Sequence, residues 1–585
     1  MLLAAHGEVD ETDWGALTGE LGGPNHLCEW NAADSTTRLA STLVRTAGSI
    51  ATIGHLTAIA TGPFGGDGSE ASEGVLHAYS RAGIEGLAQS RDGHAYVLWD
   101  ALRRELVVGC DAMGLSALAY VWDGRAFVVC SRALPLLRLQ RGWRCWNDIY
   151  LAHVLSGLWA PAASTTAFRG VSRMLGGEIL RVSARGLERL RGDTLDFQRK
   201  GNLHHEPAVE ELGQRIDRAV REQLRRPGRA CVALSGGLDS CVVASAVARC
   251  TPPFDAFRLI AREASAPAPL SRQAVFPAMR EHWVAVPGAA GGDENLPLAD
   301  DAIAAGPALQ PARLALLRAV RDAGFDRILD GEGGDELFDL AWRLGDLGEE
   351  RISLTTVRVL LRRSSRARFL RDLLVRGTLG GISSEWLRRQ RGRMAARRPW
   401  LTRSFWQDYA LGAAWEEAIA FARTGHPRDR LAQILEAHAR YRAVQTLARD
   451  KFGIEGVSPL LDRDVVEFVG ALPARLAVEP GHAKGLLRRV AATRLPAAIA
   501  WRPKQEPLYE WLATRAICDE ARVDRIAHAI ATSALLRESV DPLAIHAAIN
   551  AVRRSPERTT SMATALDQLF CFVEWSVAVH AQYGV

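Results

Sequence analysis

The nine cysteines of this 585-residue chain are scattered, odd in number and never spaced Cys-x-x-Cys. That excludes a zinc ribbon and a disulfide framework, and it fits reduced, mostly buried thiols of a cytoplasmic protein. No run of about 18 apolar residues is evident, so no membrane span is expected. The opening residues 1–10 lack a basic segment before their short apolar run, so no targeting peptide is expected. The histidines show no metal-ligand spacing, and His204-His205 reads as a polar linker. There is no internal repeat. Net charge is only +5, a slight surplus compatible with an anionic ligand and too small to imply nucleic acid.

What is present suits two large domains: 48% hydrophobic and 24% charged residues over a length too great for one ordinary core. The first 200 residues read as strand-rich. Short apolar runs at 95–100, 105–109, 125–130 and 177–182 are separated by turns such as Asp92-Gly93 and Asp123-Gly124. Near residue 205 the pattern changes. Val209, Leu212, Ile216, Val220 and Leu224 recur at helical spacing. The continuous apolar run 230–234 suits a buried parallel strand. Further strands are expected at 256–261, 283–286 and 327–330, with a helix over 312–323 before the last. This alternation predicts a doubly wound parallel sheet, followed by mostly helical sequence beyond Leu340. Arginines crowd residues 351–403 almost without acids. Two readings stand: solvated helix faces, or a docking face for an acidic peptide.

The segment Ser235-Gly-Gly-Leu-Asp-Ser240, after the buried strand and before a helical run, carries the strongest chemical signal. Gly236 and Gly237 let backbone N–H groups approach phosphate oxygens. The helix start adds partial positive charge, and Ser235 and Ser240 can donate further bonds. Asp239 offers a carboxylate where Mg²⁺ on a pyrophosphate would lie. There is no Lys before a Ser/Thr, so this is not a Walker loop.

The string resembles the pyrophosphate loop of the ATP-pyrophosphatase group, and the chain as a whole is similar to the asparagine synthetase family. Asp330-Gly-Glu-Gly-Gly-Asp-Glu-Leu-Phe338 resembles that family's second signature. Gly453–Asp462, Gly481–Arg488 and Trp501-Arg-Pro-Lys504 follow in the family's order. The N-terminal half resembles the family's glutaminase domain in 95–100, 109–120 and 171–178. The glutaminase nucleophile, however, is a Cys directly after the initiator Met, where this chain has Leu2, and Cys28 is too distant in sequence to substitute. No glutamine hydrolysis is expected.

The resemblance implies an α/β chain with residues 1–200 as a degenerate Ntn-hydrolase-like αββα sandwich. Residues 205–585 would be an ATP-pyrophosphatase-like doubly wound parallel sheet with a helical extension. It implies ATP and Mg²⁺, with Asp239 and Asp335 as metal ligands. Leu234, Ser235, Gly236, Gly237, Leu238, Asp239, Ser240, Gly331, Lys484 and Lys504 would contact the nucleotide, and Glu332, Glu455 and Lys504 would be catalytic. Glu455 is the candidate base for the attacking amine, with a buried Arg partner as its bland alternative. Within the family, the string 453–463 looks most like lasso-peptide cyclases, which join a precursor's N-terminal amine to an Asp or Glu side chain. That branch implies a precursor peptide substrate, a leader-binding protein and a leader protease as partners, and neither nucleic acid nor membrane. The alternatives are an amide ligase on a small acid, β-lactam formation included, and an inactive scaffold. Leu340, Ala341 and Trp342, where the β-lactam branch is expected to carry a Tyr, count against a β-lactam product, and Val457 replaces the Arg expected for aspartate recognition.

Overall fold

The computed structural model describes residues 2–20, 27–33, 36–42, 50–61, 68–90, 95–116, 118–139, 145–158, 164–192, 194–197, 204–260, 275–286, 298, 300, 310–338, 398–424, 431, 435, 452–473, 476, 479, 482–503, 508–556 and 559–585. The arginine-rich stretch up to Arg397, residues 340–342 and Lys504 lie outside them.

Among the described residues, twelve strands build the N-terminal half. They are β1 (Leu2–Gly7), β2 (Leu27–Asn31), β3 (Thr37–Thr42), β4 (Ile50–Ile53), β5 (Leu56–Thr61), β6 (Ala95–Asp100), β7 (Glu105–Gly109), β8 (Ala119–Trp122), β9 (Ala126–Cys130), β10 (Ser172–Arg173), β11 (Glu178–Ser183) and β12 (Gly186–Arg191). They form two antiparallel six-stranded sheets, ordered β10-β8-β9-β1-β3-β2 and β12-β11-β7-β6-β5-β4. Because successive side chains alternate between faces, β1 sends Leu2 and Ala4 into the core between the sheets, with Val97, Trp99, Phe127 and Leu180. Leu3 and Ala5 point to the opposite, outer face. The helix Gly68–Gln89 covers the outer face of the other sheet through Leu76 and Tyr79 against Ala58, Leu98 and Val107. The result is an αββα sandwich, the layering the resemblance implied.

The outer face of the β1 sheet is covered differently. Leu3, Ala5, Val121 and Val128 share one core with Trp14, Tyr150 and Leu151, and also with Trp400, Ile517, Ile549, Phe570 and Trp575 from the far end of the chain. Trp146 packs 5.5 Å from Trp575, and Tyr583 donates to Glu20 at 3.0 Å. The C-terminal helices therefore complete the N-terminal half, which the position of the composition change near residue 205 does not suggest. The stretch Ser561–Tyr583 is long and apolar enough, by length and composition alone, to cross a bilayer. Its most apolar window is 67% buried inside the protein, so burial against this shared core accounts for its apolarity.

The second half carries β13 (Ala230–Ala233), β14 (Phe254–Ile260), β15 (Met279–Ala285), β16 (Arg327–Leu329) and β17 (Glu455–Val457), all parallel, in the order β15-β14-β13-β16-β17. One face packs Val232, Ala256 and Leu329 against the helices His205–Arg225, Leu238–Cys250 and Gly485–Ala492. The other packs Cys231, Phe257 and Ile328 against Val320 of the helix Gln310–Asp322. Burial on both faces explains why β13 reads as a continuous apolar run. The three-residue β17 is too short to show a period-2 pattern, and sequence reading gave its residues no strand.

Candidate functional site at the carboxyl ends of the parallel strands

In a doubly wound sheet, ligands bind beyond the carboxyl ends of the strands. Here β13 ends at Ala233 and runs through Leu234, whose amide bonds Phe257 O at 2.9 Å, into the glycine turn. Gly236 has φ +84°, a left-handed conformation that a side chain would strain. Ser235 Oγ and Ser240 Oγ lie 3.0 Å apart, and Ser235 Oγ accepts from the Gly237 amide at 3.2 Å. The helix Leu238–Cys250 begins with Gly237 as N-cap and no side-chain cap. Its first-turn N–H groups therefore keep the donor capacity that suits an anion. Leu234 is buried and Leu238 packs on the core, so both serve the loop through their backbone.

The second signature follows β16. Asp330 bonds the carbonyl of Val457 through its amide (2.9 Å), and its carboxylate accepts from Ser458 Oγ at 2.6 Å. This ties the ends of β16 and β17 together. The two glycine loops touch so closely that side chains are excluded. A Cβ on Gly331 would stand 2.6 Å from the Ser240 amide nitrogen, and one on Gly334 would stand 2.3 Å from Asp239 Cγ. This intimate contact brings Asp239 and Asp335 together across nearly a hundred residues of chain.

Between them lies Lys484. Its Nζ donates to Asp239 Oδ2 at 2.6 Å and pairs with Asp335 Oδ1 at 3.0 Å. The residue is 8% exposed and adopts φ +58°, ψ 44° at the start of the helix Gly485–Ala492. A non-glycine residue there costs on the order of 1–3 kcal/mol and persists only where its surroundings impose it. Arg488 imposes it: its guanidinium bonds Ala483 O and Ala500 O, both at 2.7 Å, clamping the turn that presents Lys484. Burial pushes the Asp239 carboxyl above its ordinary value, and the Lys484 ammonium only partly offsets this. Burial alone would lower the Lys484 ammonium, but the two carboxylates outweigh it and its pKa is raised. The second oxygen, Asp239 Oδ1, is buried without a hydrogen-bond partner.

That orphaned oxygen bears on the metal implied by the resemblance. Among the described residues no cluster of three or more His, Cys, Asp or Glu could cage a metal ion. Two carboxylates with one unsatisfied oxygen beside a phosphate-binding loop instead match the habit of Mg²⁺, which takes one or two carboxylates and completes its shell with phosphates and water. These residues fit such an ion, and Asp239 and Asp335 would be the ones to hold it.

Glu332, at the turn between the glycines, faces Arg313 of the helix Gln310–Asp322 at 3.4 Å. Nothing in the sequence pattern marks Arg313; only packing of that helix brings it here. The Asp330–Ser458 bond was likewise not expected, although both residues stand in the quoted motifs. Lys504 lies outside the described residues.

Glu455, expected as the base, is elsewhere. The parallel register pairs Glu455 with Arg327 at the beginning of β17 and β16, whereas Asp330 and Ser458 mark their carboxyl ends. Its carboxylate, 1% exposed, receives both Arg226 Nη1 (3.1 Å) and Nη2 (2.8 Å), with Arg327 Nε at 3.4 Å. A general base must reach the proton that it takes. A carboxylate at the amino end of its strand, committed to two guanidinium groups, does not. Glu455 is the anchor of a buried ion pair.

Leu2, where the resemblance expects the glutaminase nucleophile, is an apolar side chain, 1% exposed, in the core between the sheets. Its amide bonds Ser131 Oγ at 3.0 Å. Cys28 pairs with Ser41, which pairs with Leu2, so it stands two strands away, roughly 10 Å by strand spacing. Burial drives the Cys110 thiol well up, the wrong direction for a nucleophile.

The asparagine synthase family model matches residues 211–573, and a glutamine amidotransferase domain model matches residues 67–191. Among curated proteins, Amidase chyE of Penicillium rubens is 29% identical over 188 residues, and Amidase chry2 of Gibberella zeae is 29% identical over 187 residues. Each match takes in 31% of this chain and 27% of the relative, so the chain spans about a quarter of the length of these relatives. Among solved structures, glutamine phosphoribosylpyrophosphate amidotransferase from B. subtilis, complexed with ADP and GMP, matches at 8% identity. The match covers 40% of this chain and 60% of that one with a TM-score of 0.21. A structure described as the allosteric regulatory enzyme of purine biosynthesis matches at 9% identity, covering 56% and 80%, with a TM-score of 0.24. With its synthase region filling well over half of its length, the chain belongs to the asparagine synthase family.

Proposed function

We propose that the protein is an ATP-dependent carbon–nitrogen ligase that activates a carboxylate as its acyl-adenylate and passes the acyl group to an amine. The observation that carries this is the meeting of Asp239 and Asp335 on one ammonium beside the uncapped helix start at Ser235–Ser240. The substrate carboxylate attacks the α-phosphorus of ATP, and pyrophosphate departs. Backbone N–H groups of Gly236 and Gly237, with the hydroxyls of Ser235 and Ser240, hold that pyrophosphate. Mg²⁺ on Asp239 and Asp335 would neutralise charge on the leaving group. Lys484 supplies a further cation, and Lys504 follows in the same motif order as a stabiliser of the developing charge. The amine then attacks the acyl carbon and AMP leaves. With Glu455 at the amino end of its strand, Glu332 is the expected catalytic acid that stays at the carboxyl end of the sheet.

Within this chemistry we favour macrocyclisation of a peptide, the N-terminal amine of a precursor joining an Asp or Glu side chain as an isopeptide. Three features support it. The string 453–463 is similar to lasso-peptide cyclases, Leu2 leaves no source of ammonia from glutamine, and Val457 is a buried strand residue that cannot replace an arginine in binding free aspartate. A leader-binding protein and a leader protease would be its partners. The competing reading is an amide ligase on a small acid. Incubation with ATP, Mg²⁺ and a precursor peptide, followed by mass spectrometry and pyrophosphate detection, separates the two. Macrocyclisation gives loss of one water from the peptide with one pyrophosphate per product. Pyrophosphate release with small acids and none with peptides would reject it. Asp239→Asn is expected to abolish pyrophosphate release while the protein stays folded by circular dichroism.

A further inference from the structure

We propose that Lys484 is a resident counter-ion: its ammonium bars free divalent cations from the Asp239–Asp335 pair until a triphosphate draws it away, so metal and nucleotide enter together. The nucleotide half of this rests on the ligase reading; the exclusion half rests on geometry alone.

The ammonium contacts Asp239 Oδ2 at 2.6 Å and Asp335 Oδ1 at 3.0 Å, so it stands between the two carboxylates that a divalent cation would bridge and holds one oxygen of each. A cation entering now meets a like charge at contact distance, and on the Asp239 side burial weakens screening, whereas the Asp335 side chain is 54% exposed. Removing the ammonium with nothing in return would leave two carboxylates facing each other, one of them Asp239 with an oxygen already unsatisfied. Neither state is favourable alone, which is why the exchange needs a third party. A triphosphate at the Ser235–Ser240 loop provides it, because the polyanion gives the ammonium a new partner as the metal takes the carboxylates. The side chain can make that exchange without unfolding anything. Its backbone is clamped by Arg488 through Ala483 O and Ala500 O, so the exchange asks only for rotation about the bonds of the four-carbon stem. The left-handed backbone at Lys484 is then the device that keeps the stem rooted between the two loops.

The test measures Mn²⁺ binding by electron paramagnetic resonance on the whole chain, with and without α,β-methylene ATP. The wild type is expected to bind Mn²⁺ at least tenfold more weakly than Lys484→Met in the absence of nucleotide. The analogue should tighten Mn²⁺ binding at least tenfold in the wild type, and by a smaller factor in the variant, where the metal gains phosphate ligands but displaces no ammonium. Lys484→Gln, of similar reach and uncharged, repeats the measurement should Lys484→Met fold poorly. Adding Asp239→Asn to either variant should remove the gained Mn²⁺. Equal Mn²⁺ affinity in wild type and both variants without nucleotide overturns the proposal, as does tighter binding that survives Asp239→Asn. Failure of the analogue to bind the wild type overturns the coupling together with the ligase reading, whereas the nucleotide-free comparison judges Lys484 alone.

Discussion

Glu455→Gln is expected to weaken the fold and spare the chemistry. The substitution keeps the shape of the side chain and removes its charge, leaving Arg226 and Arg327 facing a neutral amide inside the protein. Glu455 is 1% exposed and accepts three guanidinium bonds, two of them from Arg226 at 2.8 and 3.1 Å. Breaking one partner of a buried ion pair costs about 3–5 kcal/mol, because the remaining charge stays desolvated without compensation. The Gln side chain still accepts one of those bonds, so the loss belongs near the lower end, about 3 kcal/mol. Arg327 retains Gln223 O at 2.9 Å and Pro227 O at 3.1 Å, which limits the damage further. The assay is paired: urea denaturation followed by fluorescence, and pyrophosphate release per folded molecule under conditions where the variant is fully native. The expected result is a lower unfolding midpoint with turnover within a few-fold of wild type. The double variant Glu455→Met, Arg226→Met should recover part of the lost stability. A hundredfold fall in turnover with an unchanged unfolding midpoint would refute this reasoning and return Glu455 to the reaction.

Gly334→Ala forces a methyl to 2.3 Å from Asp239 Cγ. A displacement of Asp239 of this order should cost about 10²-fold in pyrophosphate release, with only about 1–3 kcal/mol of overpacking seen in denaturation; full activity would show that Asp239 is not held where it acts. Glutamine added to the complete reaction should yield no glutamate, because Leu2 holds the nucleophile's place; glutamate detected by coupled assay would contradict that. The Asp462 carboxyl is pushed up to about 6 by burial, against its ordinary 3.8. Its ionised form is therefore the disfavoured one in the fold, and its contribution to stability is greatest below the ordinary carboxyl range and lost as pH rises through about 6. Asp462→Asn should flatten the stability profile between pH 4 and 6, by on the order of 2 kcal/mol across it, and an unchanged profile would exclude Asp462 as its source.

The chemical half of the site was legible in the sequence because glycine turns constrain their neighbours locally. A buried strand that runs into Ser235-Gly-Gly-Leu-Asp-Ser240 and then a helix start can form little but an anion cradle, and the second glycine turn after β16 repeats the logic. Glu455 was misread for the opposite reason. Its motif identifies the strand but not the register, and only the pairing of Glu455 with Arg327 puts it at the start of β17 with Arg226 against it.

Composition and local periodicity by themselves determined the parallel strands other than β17 and the glycine turns that follow two of them. Tertiary structure alone decided three things. Lys484 lies between Asp239 and Asp335, Arg313 faces Glu332, and the C-terminal helices close the outer face of the first sheet. The physical reason is common to all three. Each depends on contacts between residues far apart in the chain, and these follow from how whole elements bury their faces against one another rather than from any pattern within a single segment.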